Sequence, residues 1–460
     1  MDAASGMDTA PLLDIDPLLD DPATRIIVCC GSGGVGKTTT AAALGVRAAE
    51  RGRRAVVLTI DPARRLAQSM GIDSLDNVPR KVKGVDDAAG GELHAMMLDM
   101  KRTFDEIVEA HADSDRARAI LENPFYQSLS AGFAGTQEYM AMEKLGQLRS
   151  RDEWDLIVVD TPPSRSALDF LDAPKRLGSF LDGKFIRVLM APAKVGGRAG
   201  MKFLNVGMSM MTGTLSKLMG GQLLRDVQTF VAAMDTMFGG FRTRADATYR
   251  LLQAPGTAFL VVAAPERDAL REAAYFVERL AAEEMPLAGL VLNRVHGSGA
   301  PQLSAERALA AAENLGEHGI VDQGDGNAGV RGSTAASSET PSPGTPSPET
   351  PRTPQHPDAV DGPSTGDGPD AVNGPSAVNG VEQLTAGLLR LHAERMQVLA
   401  REQRTRDRFT ALHPEVAVTE VAALPGDVHD LAGLRTIGER LATGQASPPD
   451  PSPSTPSPSA

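Results

Sequence analysis

Residues 31–38 read GSGGVGKT, the spacing G-x-x-x-x-G-K-[ST]. A short apolar, β-rich run at 25–30 (RIIVCC) leads into them, and an Ala-rich stretch of helical character at 39–51 follows. Strand, loop and helix in that order are the context this motif requires. Glycines let the backbone amides of Gly33, Gly34, Val35 and Gly36 close around phosphate oxygens. The helix opening at Lys37, Thr38 and Thr39 adds free N–H groups and the positive end of its dipole. Lys37 can reach β- and γ-phosphates, and the Thr38 hydroxyl is a hard oxygen suited to Mg2+. Cys29 and Cys30 precede the loop in an apolar strand, where they read as packing residues.

Two acidic residues join this loop. Residues 54–60 (RAVVLTI) and 154–160 (WDLIVVD) are continuous apolar strands, the pattern of a parallel sheet covered on both faces. The first runs into Asp61 and the second ends at Asp160. Ligands of open α/β sheets bind at the carboxyl ends of such strands. Asp160 suits the carboxylate on the Mg2+ side of a phosphate site, and Asp61 is placed to orient or deprotonate an attacking water. Each could instead serve as a helix cap or a strand-end turn. Further strands at 258–263 and 288–293 bring the chain to Asn293 and Arg294. An Asn amide has both a donor and an acceptor with which to match a purine edge. The elements that must carry these residues make an α/β fold, a mostly parallel central sheet flanked by helices.

Composition narrows the function. The chain has 460 residues with 46 basic and 59 acidic side chains, a net charge of −13. Generic nucleic-acid binding needs clustered Lys and Arg, which this balance does not favour. Two adjacent cysteines form no disulfide framework and suggest a reducing cytosol, so a cytoplasmic location is expected. The acidic start lacks a basic, then apolar, leader pattern, and no run of about 18 apolar residues marks a membrane span.

The chain's 32 prolines and 46 glycines are unevenly spread. Residues 323–380 mix Pro with Gly, Ser, Thr and Asp and lack apolar periodicity, so a disordered insertion is expected there. It contains a short repeat, DAVDGPS at 358–364 and DAVNGPS at 370–376. The tail at 446–460 reads the same way, and residues 1–24 read as a flexible arm whose Leu12, Leu13, Leu18 and Leu19 could dock. One domain is therefore expected from 25–322 and 381–445, interrupted by the insertion. Its second piece opens with an amphipathic helix through Leu384, Leu388, Leu391 and Val398, continues with a strand-like alternation at 415–423, and closes with a helix near 431–441.

Together these residues resemble the deviant-Walker-A ATPases, most closely the family of the arsenite-pump ATPase and the ATPase that targets tail-anchored membrane proteins. The resemblance rests on GGVGKTT at 33–39, TIDPA at 59–63, DTPP at 160–163, Asn293-Arg294 and LPGDV at 424–428. It implies a P-loop fold that binds ATP and Mg2+ and hydrolyses ATP as a dimeric switch. By the resemblance, Lys37 and Asp61 are catalytic, Thr38 and Asp160 hold the metal, Asn293 reads adenine beside Arg294, and the loop with Pro425 and Asp427 closes over the base. The family usually has a lysine where this chain has Ser32, reaching across the dimer to stabilise transition-state charge. Its absence makes a heterodimer with a lysine-bearing paralogue, or a weakly hydrolysing regulatory subunit, an alternative to a homodimer. The family's Gly-His pair in switch II is replaced by Arg165 and Ser166. Its zinc-binding and arsenite-binding cysteines are missing.

Segments 100–150 and 165–255 read as helical and should form a subdomain inserted in the sheet. Methionines crowd the second, from Met190 to Met237, with glycines between them. Flexible thioethers make an adaptable apolar surface, which fits a hydrophobic client or membrane partner, with helix core or a dimer interface as the plainer reading. A partition or division-site ATPase is the rival of the same superclass. It would need a basic DNA-binding face or a C-terminal amphipathic membrane helix, and neither is found.

Overall fold

A computed structural model describes residues 11–61, 65–124, 126–127, 136–162, 230, 240, 243–318 and 376–444. In chain order the elements are α1 (Ile15–Asp20), β1 (Ile26–Cys30), α2 (Lys37–Glu50), β2 (Arg54–Thr59), α3 (Arg65–Ser69), β3 (Arg80–Lys81) and β4 (Glu92–Met97). Next come α4 (Met100–His111), α5 (Ser114–Leu121), α6 (Thr136–Arg151), β5 (Leu156–Asp160), β6 (Thr257–Ala263), α7 (Arg267–Ala282) and β7 (Leu287–Val295). The chain ends with α8 (Ala305–His318), α9 (Ser376–Leu412), β8 (Val418–Ala422) and α10 (Leu431–Thr443).

The strands form one eight-stranded sheet in the order β3-β4-β2-β5-β1-β6-β7-β8. All neighbours are parallel except the edge pair β3–β4. Central strands β1, β2 and β5 carry unbroken apolar runs because both faces are covered. Ile26, Val28 and Cys30 face one core with α4, α6 and α7. Ile27 and Cys29 face the other with α1, α2 and α10. Alternating side chains on a pleated strand make this division inevitable. Helix α2 can lie close to the sheet because Ala41, Ala42, Ala43, Ala48 and Ala49 give it a narrow, fully buried face, built from the best helix former.

From β1 the chain crosses over β5 to reach β2, and later leaves β5 for β6 on the other side of β1. The crevice at the carboxyl ends of β1 and β5 is thus the topological switch point. Contacts divide the chain into two units, residues 1–299 with 398–460, and residues 300–397. The first holds the whole sheet, since β8 returns to pair with β7. The second includes α8 and the start of α9, where Ala308, Ala312, Ala386 and Ala393 are buried and the His392 ring lies 2.8 Å from the Leu303 carbonyl.

The N-terminal arm differs from expectation. Residues 11–24 are part of the fold, with Leu13, Ile15 and Leu19 buried. Leu12 bridges to Val418. Asp16 pairs with Arg47 at 2.5 Å, and Asp20 pairs with Arg51. The Arg53 guanidinium donates to the carbonyls of Leu19, Asp21, Thr24 and Asp155. Four main-chain acceptors on one fork tie the arm to the sheet, which its acidic, proline-punctuated sequence concealed. Helix α9 likewise starts at Ser376, inside the segment expected to be disordered. The remainder of that insertion, the Met-rich segment, Arg165, Ser166 and the tail lie outside the described residues.

Candidate functional site

The loop after β1 is shaped by two close approaches. A Cβ on Gly31 would sit 2.1 Å from the Val262 carbonyl oxygen, so the exit of β1 can hug β6 only with glycine. Gly36 has φ +96, and a Cβ there would lie 2.2 Å from Asn293 Nδ2. Gly33 and Gly34 are exposed, whereas the Val35 side chain is buried and anchors the loop in the core. Asn293, buried at the end of β7, donates its amide to the Val35 carbonyl at 2.8 Å. The Asn expected to read a base braces the loop.

Lys37 opens α2, is buried, and donates from Nζ to the Ser32 carbonyl at 2.8 Å. Burial lowers its pKa, opposed chiefly by the negative charge of Asp160. Thr38 follows and donates its hydroxyl to Asp160 Oδ2 at 2.8 Å. The Thr59 hydroxyl, at the end of β2, donates to the same oxygen at 2.8 Å. The register explains this convergence, because Thr59 is the β2 partner of Asp160 on β5. Asp160 Oδ1 is buried and has no hydrogen-bond partner among the described residues. Burial raises the Asp160 pKa to about 6, against the pull of the two threonine bonds and Lys37.

A threonine hydroxyl, a carboxylate in contact with it and a second carboxylate oxygen without a partner are hard oxygens that suit Mg2+. The lysine and the free amides at the start of α2 suit phosphate. Among the described residues no group of three or more His, Cys, Asp or Glu is arranged to hold a metal. The chemistry this arrangement supports is in-line displacement at a phosphoryl group.

Asp61 is half-buried, and its charge is felt by both Lys37 and Asp160. Its backbone N–H donates to Thr59 Oγ1 at 3.2 Å. Arg294 is exposed, in a left-handed conformation with φ 61, where the β7–β8 register shifts between Asn293 and Val295. Pro425 and Asp427 are exposed on the loop after β8, at the same carboxyl edge of the sheet. Thus Lys37, Thr38, Asp61, Asp160 and Asn293 lie together around the loop, while Arg294, Pro425 and Asp427 are exposed at the carboxyl ends of β7 and β8, with no described contact to the loop.

Three polar residues were missed by sequence reasoning. Thr59 was visible only as part of a motif, although a hydroxyl at the last position of a buried strand was a usable signal. Thr161 donates to the Cys29 carbonyl at 2.8 Å and pins the exit of β5 to β1. Gln137, in the first turn of α6, donates to the Ile60 carbonyl at 2.9 Å. No local pattern announces it.

The parallel sheet, the phosphate loop at its switch point and the acidic strand end define a P-loop ATPase. A family model described as anion-transporting ATPase matches residues 24–308, and the chain belongs to that family. Similar proteins include the ATPase GET3 of Podospora anserina, 26% identical over 305 residues that make up 64% of this chain and 81% of that protein. The ATPase get3 of Schizosaccharomyces pombe is 27% identical over 335 residues, 70% of this chain and 92% of that one. The match to the ATPase GET3 of Malassezia globosa is 29% identical over 177 residues, 38% of this chain, and spans only half (50%) of that relative. Among the described residues no helix is long and apolar enough to cross a membrane.

Proposed function

We propose that the chain hydrolyses ATP as a dimeric switch whose nucleotide state is coupled to a client or membrane partner. The observation that carries the site assignment is the contact of Thr38 with Asp160, whose second oxygen is buried without a partner. Amides from Gly33 to Thr39 cradle the phosphates, and Lys37 turns from the Ser32 carbonyl to the β- and γ-phosphate oxygens. Thr38 and Asp160 would hold Mg2+, which when bound would supply positive charge beside the β- and γ-phosphate oxygens. Asp61 orients the attacking water and takes its proton. Asn293 and Arg294 face the base, and the loop with Pro425 and Asp427 covers it. The partner surface falls to the Met-rich segment, whose composition supports adaptable apolar binding. Buried, free Cys29 and Cys30 support a cytoplasmic setting, with any membrane reached through a partner.

A second reading is favoured by Ser32. Its carbonyl accepts from Lys37, but its side chain supplies no cation to a neighbouring site. A paralogue bearing a lysine at this position would complete a heterodimer in which this chain is the weaker hydrolase. Turnover of the purified full chain, alone and mixed with such a paralogue, separates the two. Turnover by the chain alone, abolished in Lys37→Ala, supports the first reading. Turnover only in the mixture supports the second, and unchanged turnover in Lys37→Ala sinks both.

A further inference from the structure

In the turn that carries Asp61, one peptide group is held by two hydrogen bonds. The carbonyl of Ile60 and the N–H of Asp61 belong to the same planar unit. The carbonyl accepts from Gln137 Nε2 at 2.9 Å, and the N–H donates to Thr59 Oγ1 at 3.2 Å. On the strand side, the Ile60 N–H donates to the Asp160 carbonyl at 2.9 Å. A planar group fixed at both ends cannot swing, so ψ of Ile60 and the position of the Asp61 Cα are set, and with them the point from which the Asp61 side chain leaves the backbone. The two clamps come from different places. Thr59 belongs to the sheet and donates its own proton to Asp160. Gln137 belongs to α6, whose buried Tyr139, Met140 and Met142 pack in the helical layer on one face of the sheet.

We propose that Gln137 is a positioning residue for hydrolysis: from the helical layer it fixes the Ile60–Asp61 peptide so that the Asp61 carboxylate faces the phosphate site. This rests on the reading of Asp61 as the water-orienting base. A shift of α6 would break the Gln137 clamp on the Ile60 carbonyl while leaving the Thr59 clamp on the Asp61 N–H in place. A residue that acts only through orientation should lower kcat and leave nucleotide affinity alone. Misplacing a catalytic group by about 1 Å can cost up to about a hundredfold.

The experiment is a double-mutant cycle on the full chain. Gln137→Met keeps the length of the side chain and removes its donor. Gln137→Glu keeps its shape and puts an acceptor against the carbonyl, and serves if the Met variant melts early. For each variant, kcat, KM for ATP and the Kd of a non-hydrolysable ATP analogue are measured, alone and combined with Asp61→Asn. The expected result is a kcat lowered about tenfold or more with Kd within twofold, and less than twofold further loss in the Asp61→Asn background. Wild-type kcat in both Gln137 variants, while Asp61→Asn alone is slow, overturns the positioning role and leaves the base assignment standing. So does an equal fractional loss in both backgrounds, which marks a merely structural residue. If Asp61→Asn turns over like the wild type, the base assignment falls and the positioning role falls with it.

Discussion

The amide of Asn293 is bonded to the carbonyl of Val35 at 2.8 Å, joining the end of β7 to the middle of the phosphate loop. Gly36 makes room for this bond, because a Cβ there would collide with the same nitrogen. Asn293→Ala leaves a buried carbonyl unsatisfied, a loss of about 1–3 kcal/mol. Nucleotide affinity should fall about tenfold, and further in Asn293→Asp, which sets an acceptor against an acceptor. Calorimetric titration with ADP checks this, and equal affinity in all three proteins refutes it.

Gly31→Ala should destabilise the fold itself. The new Cβ would fall on the Val262 carbonyl, and φ +149 is strained for an L-residue. Strain of this kind costs roughly 2–3 kcal/mol. Chemical denaturation should show a lower midpoint with an unchanged slope, even without nucleotide.

Arg53→Lys should not be a conservative change. The four carbonyls that Arg53 serves need a planar fork, and a lysine can satisfy only some of them from one point. A loss of about 2 kcal/mol or more is expected from the buried acceptors left over. Faster proteolysis within residues 11–24 would trace it to the docked arm. Stability and cleavage equal to wild type would show that the fork is dispensable.

Stability should also fall as pH drops below about 6.5, the ordinary His value. His94 on β4 lies against Trp154 with ring centroids 4.8 Å apart, and its Nδ1 is buried with no partner among the described residues. Burial holds its pKa below the usual value. The folded state then binds fewer protons than the unfolded state in that window, so the contribution is present above it and lost as acid is added. His94→Phe should flatten the dependence of unfolding free energy on pH between about 5 and 7. An unchanged slope would assign it to other groups.

Much of this was legible in the residues. Continuous apolar runs gave β1, β2, β5, β6 and β7, because central strands of a parallel sheet are buried on both faces. The loop and Asp160 followed from spacing and strand ends. Strand β4 was not, since Glu92 and His94 interrupt a short run at the sheet's margin, and two-residue β3 is too brief to leave a pattern. The docking of residues 11–24 depends on Arg53 reaching main-chain carbonyls, which carry no sequence signature. Thr59 and Gln137 act on one peptide from segments 78 positions apart, a relation that only three-dimensional packing creates.

The two cysteines have a practical consequence. Cys29 and Cys30 point into opposite cores from one central strand, both fully buried. Burial pushes the Cys30 thiol up to about 12 and the Cys29 thiol well above its ordinary value. At neutral pH neither presents a thiolate to a reagent. The wild-type chain is therefore a silent background for maleimide chemistry. A single cysteine introduced on the loop after β8, at Asp427 for example, could carry a fluorophore that follows that loop during turnover, with no native residue removed first.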